Sequence, residues 1–238
     1  MKRCWICGAC ADTREHINKK SNIVQIFGRG PYQKGNRLIK NTDTETIFVQ
    51  SPNSDHLKFG LTLCHFCNTT NTQSYDRAYE IFFNYINQNE SEIIEYRQIN
   101  LRRIFGIHSH YEKRTDFFKY FVKVFGCCLA DHNFSVPHDL SKSMIDKSLP
   151  NNFGLIFSIL EDYGKPIPVF TVQDLECIKD VLTGEYVGFV WAQSYNRLSV
   201  TYIYECGKNS NIKNLWTGTK SKISLGYILT FAHFFVSN

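Results

Sequence analysis

Hydrophobic and polar positions divide the chain into two unequal stretches. Residues 1–16 are short and cysteine-rich. Residues 17–58 are mostly polar and punctuated by Gly28, Gly30, Pro31, Gly35 and Pro52, which predicts loops around one strand, Thr46–Gln50. Further on, Tyr75, Tyr79, Phe82, Phe83 and Ile86 recur at three- and four-residue steps, the period of an amphipathic helix from about Asn68 to Asn87. Gln88–Glu95 is acidic and polar and reads as a hinge. Beyond it, Phe117, Phe118, Tyr120, Phe121, Val124 and Phe125 predict a buried helix with Gly126 in or near its end. Asn151–Leu160 reads as a strand. Tyr186–Gln193 and Arg197–Glu205 read as a hairpin turning at Ser194–Asn196, and Leu225–Val236 is apolar with no clear period. The expected class is α+β, with one unit over residues 1–90 and an α+β accessory unit over 96–238.

Composition narrows the class further. Of 238 residues, 43% are apolar and 21% charged, which excludes a disordered chain. No apolar run approaches the roughly 20 residues of a membrane helix. The start, MKRCWICG, has no long apolar segment, so a cytoplasmic protein with no membrane partner is expected. The net charge of +5 is compatible with a polyanionic partner. Its excess lies in the first half: residues 1–80 hold 11 basic and 7 acidic residues, whereas residues 127–238 hold 9 and 10.

Nine cysteines are too many for a reducing compartment to leave unexplained, yet disulfides are disfavoured there. Cys4-Trp-Ile-Cys7 and Cys64-His-Phe-Cys67 are both C-x-x-C, the turn that places two thiolates on one ion, so a structural Cys4 zinc site is expected. The spacer of 56 residues suits a treble clef: a knuckle, a hairpin, then the second pair at a helix start. Cys10 is a less well spaced alternative to Cys7, and His65 is expected to face solvent. Cys127, Cys128, Cys177 and Cys206 show no ligand spacing and read as small apolar side chains.

Thr13-Arg14-Glu15-His16-Ile17 stands between the pairs, and Cys67-Asn68-Thr69 follows the last cysteine. Taken in order, C-x-x-C, acidic-His-Ile and Leu-Cys-x-x-Cys-Asn resemble the HNH endonuclease family, over residues 1 to about 85. The resemblance implies a ββα-metal fold and a metal-dependent endonuclease acting on DNA, of a kind found in bacterial defence against phage. In such a site a neutral His takes the proton of the attacking water, and Mg²⁺ or Mn²⁺ on hard oxygen ligands neutralises charge at phosphorus. The resemblance makes His16 the general base and Glu15 and Asn68 ligands of the catalytic metal, with Asp76 a further candidate. Adjacent strand residues point to opposite faces, so Glu15 and His16 can serve different sides. Two departures stand out. Asn68 replaces the His often found after the last pair, and the family's middle Asn is missing, with Asn53 or His56 as replacements.

Lys19, Lys20, Arg29, Lys34, Arg37 and Lys40 follow His16 and would contact nucleic-acid phosphates. Arg102, Arg103, Lys113, Arg114, Lys119 and Lys123 would extend that track. His108-Ser109-His110 offers a weaker metal pair. The C-terminal half lies outside the resemblance and is the place for a protein partner or self-association. The competing reading is a zinc-stabilised nucleic-acid-binding module without catalysis.

Overall fold

The computed structural model describes residues 2–32, 38–41, 46–146, 148–160, 170–195, 197–206 and 215–228. In chain order come α1 (Lys20–Phe27), β1 (Leu38–Asn41), β2 (Thr46–Val49), α2 (Gln73–Tyr96), β3 (Gln98–Asn100), α3 (Leu101–Phe105), α4 (His110–Asp131) and α5 (His138–Ile145). The strands β4 (Phe153–Leu160), β5 (Phe170–Val172), β6 (Glu176–Lys179), β7 (Tyr186–Tyr195), β8 (Leu198–Glu205) and β9 (Lys222–Ile228) follow. The architecture is mixed α+β.

Strands β1 and β2 form a small antiparallel pair. The larger sheet runs β3-β9-β4-β8-β7-β5, with β6 also on β7; β9 and β4 are parallel and the other pairs antiparallel. The predicted hairpin is β7–β8, with Trp191 opposite Tyr202; Asn196 of its turn lies outside the described residues. The predicted strand over 151–160 is β4. Leu225 lies in β9, and residues 229–236 of that apolar run fall outside the described part.

The Phe-rich run forms the centre of α4. Every residue from Phe117 to Leu129 is buried, so this helix has no polar face along half its length. Its rings meet both neighbours: Phe117 packs tilted against Phe82 of α2 at 4.2 Å, Phe121 meets Phe157 of β4 at 5.7 Å, and Phe125 meets Phe153 at 5.2 Å. Gly126 lets Trp5 of the first cysteine turn approach, because a Cβ there would lie 2.4 Å from the indole.

The expected hinge at Gln88–Glu95 is a kink at Asn89 between two helical stretches. Helix α2 continues to Tyr96, with non-helical angles only at Asn89, whose side-chain amide donates to Tyr85 O at 2.8 Å. Ile86 and Ile93 are both buried on one face seven residues apart, so the apolar stripe survives the acidic stretch. Buried residues on both sides of it, from Cys4, Ile6, Phe59 and Leu63 to Phe153, Tyr202 and Ile223, belong to one continuous hydrophobic cluster. No helix among the described residues is long and apolar enough to cross a membrane.

Candidate functional site

The first cysteine turn is closed by backbone bonds from Gly8 N to Cys4 O (2.8 Å) and from Cys4 N to Ala9 O (2.7 Å), with Gly8 at φ +76°. A left-handed position of that kind suits glycine. Cys64 stands just before a single π-turn, Cys67–Asn71, that leads into α2, and Cys67 N donates to Cys64 Sγ at 3.4 Å. The tertiary fold brings the two turns together. The sulfurs of Cys4, Cys7, Cys64 and Cys67 all lie within 4.8 Å of one another, and Cys7 and Cys64 Sγ are 3.6 Å apart. Sulfurs on a tetrahedral Zn²⁺ with bonds of about 2.3 Å would sit roughly 3.8 Å apart, so the quartet can hold such an ion. Cys10 is exposed and outside the group, and His65 is exposed.

Residues 13–17 run antiparallel to 57–63. Thr13 bridges Leu63, Phe59 N donates to Glu15 O (2.9 Å), His16 bridges Lys58, and Ile17 N donates to Leu57 O (2.9 Å). This extended pairing sends Glu15 inward and His16 the other way. His16 Nε2 is 3.0 Å from Pro52 O. A carbonyl only accepts, so Nε2 carries the proton and the lone pair of the neutral ring is on Nδ1. Burial, with Lys58, Lys20 and Lys19 nearby, lowers the His16 pKa from its ordinary value to about 4.

Glu15 is buried, with Oε2 3.1 Å from Lys123 Nζ. Lys123 also lies 2.8 Å from Asp76 Oδ1, in the first turn of α2, and Lys19 Nζ is 2.9 Å from the same oxygen. Burial alone would push Lys123 down; the two carboxylates override it and hold the ammonium above the usual lysine value. Glu15 and Asp76 are thus brought together, but around a lysine. No hydrogen bond links either of them to His16 or Asn68 among the described residues. Asn68 follows the last cysteine, its N–H donates to Cys64 O (3.0 Å), and its Oδ1 is buried without a hydrogen-bond partner.

The oxygen ligands implied for Mg²⁺ or Mn²⁺ therefore do not fit one ion. Asn68 Oδ1 is available, but the carboxylates of Glu15 and Asp76 face an ammonium. Among the described residues, the cysteine quartet is the one group of three or more His, Cys, Asp or Glu side chains close enough to share a metal. His110 Nδ1 is 2.7 Å from Ile107 O, and the His108–His110 pair gathers no such group. Asn53 and His56 are both exposed, near a short 3-10 turn at Asp55–Leu57.

Of the basic residues after His16, Lys20 and Arg29 are exposed. Lys19 is committed to Asp76, Lys40 Nζ donates to His56 O at 3.0 Å, and Lys34 and Arg37 lie outside the described residues. Half of the second basic group is internal, while Arg102 and Arg103 are exposed. Arg114 donates to Ser221 Oγ at 3.2 Å, Lys119 to Asp146 O at 2.5 Å, and Lys123 to the two carboxylates, so these three cannot line a phosphate track. A sequence signal was present: Lys119 and Lys123 sit inside an apolar run with no polar face to point from. The Pro52 carbonyl had no such signal.

Comparison with family models, curated proteins and solved structures returns no match.

Proposed function

We propose that the chain hydrolyses phosphodiester bonds of DNA, with His16 as general base, on an HNH-like ββα scaffold held by a structural zinc at Cys4, Cys7, Cys64 and Cys67. The observation that carries this reading is the Nε2–H bond of His16 to Pro52 O. It fixes the tautomer and leaves Nδ1 able to take a proton from water. A pKa of about 4 makes a weak base in the free protein. A bound phosphate beside the ring would favour the imidazolium and raise its basicity where it is needed. Lys20 and Arg29 supply exposed positive charge on the same side of the sequence for the backbone of the substrate. The resemblance extends the reading to defence against phage and to dependence on Mg²⁺ or Mn²⁺.

Plasmid nicking by zinc-loaded protein with each ion added tests this. His16→Ala is expected to lower nicking by roughly 10²–10⁴-fold, the usual contribution of a general base, with DNA binding retained. Equal nicking by both proteins removes His16 from the mechanism. The second reading, a zinc-organised DNA-binding module without catalysis, is favoured by the lysine neutralisation of Glu15 and Asp76. DNA binding with no nicking under any ion would establish it.

A further inference from the structure

Three groups meet at one buried point between the His16 segment, α2 and α4. Lys123 Nζ is 3.1 Å from Glu15 Oε2 and 2.8 Å from Asp76 Oδ1, and its side chain has no solvent exposure. Lys19 adds a second ammonium at 2.9 Å from Asp76 and 4.0 Å from Glu80, so each carboxylate of the Glu15–Asp76 pair already faces a cation. A divalent ion entering this cluster would add two positive charges where each carboxylate already faces a cation, at a site whose Lys123 side chain is fully buried. To be neutralised it would have to displace Lys123, which is rooted in the fully buried middle of α4, with Nζ 5.9 Å from the Tyr120 ring centroid.

We propose that Lys123 is the resident cation of the Glu15–Asp76 pair, filling with an ammonium the place that an HNH-like reading of those residues gives to a divalent metal. The carboxylates then serve to anchor α4 against the segment carrying His16 and the start of α2. Any divalent ion the protein uses is held elsewhere. This inference stands on the geometry of the cluster and does not require the hydrolase reading.

Mn²⁺ uptake by the zinc-loaded full chain, followed by electron paramagnetic resonance, tests it without any cleavage assay. Wild type and Asp76→Asn are expected to bind Mn²⁺ alike, and Lys123→Ala, which empties the space between two carboxylates, to bind at least tenfold more tightly than wild type. One Mn²⁺ per wild-type chain, lost tenfold or more in Asp76→Asn, would overturn the proposal. So would a folded Lys123→Ala protein with no gain. Should Lys123→Ala fail to fold, the wild-type and Asp76→Asn pair decides alone. A wild type that cuts no DNA would end the hydrolase reading and leave this result standing.

Discussion

At His16, one hydrogen bond and one desolvation set the behaviour of the ring. The bond to Pro52 O selects the tautomer, and burial lowers the pKa to about 4. The sign of the consequence follows from linkage. In the unfolded chain the ring titrates near ~6.5, so between that value and about 4 the unfolded state takes up a proton that the folded state refuses. Stability is full above the unfolded value and falls as the pH drops through that window. Urea midpoints at pH 7 and pH 5 should therefore drop more for wild type than for His16→Gln, which has no proton to gain; equal drops would place the folded pKa near its ordinary value. The dipeptide Glu15-His16 was legible in the sequence, as was the division of its two side chains between faces, because alternation is a local property of extended backbone. The inward side turned out to hold a lysine, 108 residues away along the chain, which local alternation cannot indicate.

Among the elements, α4 connects the cysteine turns to the sheet. Its Gly126 faces Trp5, whose indole N–H points to Cys127 Sγ at 3.5 Å. Replacing Gly126 with Ala improves helix propensity by up to about 1 kcal/mol, but puts a methyl 2.4–2.6 Å from three indole atoms. Overpacking of that kind costs about 1–3 kcal/mol, and the ring is too rigid to yield by a bond rotation at its tip. Net destabilisation is expected from denaturant unfolding of Gly126→Ala, and it should shrink in a Trp5→Ala background; a stabilised single variant would mean that the turn shifts freely over the helix. Helices α2 and α4 and the β7–β8 hairpin were readable because their apolar periods are long. The resumption of α2 beyond the Asn89 kink was not. Its helical register there rests on Ile93, one buried side chain that a composition of Glu, Gln and Asn conceals.

For the molecule as a whole, Cys4, Cys64 and Cys67 share one hydrophobic cluster with the sheet. Metal binding at thiolates is folding energy for the surrounding segment, so its loss should be felt beyond that segment. Cys67→Ser, or chelation of wild type, is expected to reduce amide hydrogen-exchange protection in α4 and in β4 and β8 as well as in residues 2–16. Protection in the strands that stays at the wild-type level would show that the sheet and α4 hold together without the cysteine centre.

By itself, the sequence determined which cysteines would gather and where α2, α4, β4 and the β7–β8 hairpin would form. These depend on spacing over a few residues, where covalent geometry and backbone period leave little freedom. The tertiary structure alone decided the partner of each charge. Lys119 and Lys123 went inside, Glu15 and Asp76 met across an ammonium, and a proline carbonyl oriented His16. An ion pair's partner is set by which surfaces pack when the core closes, and electrostatic attraction leaves no periodic trace along the chain.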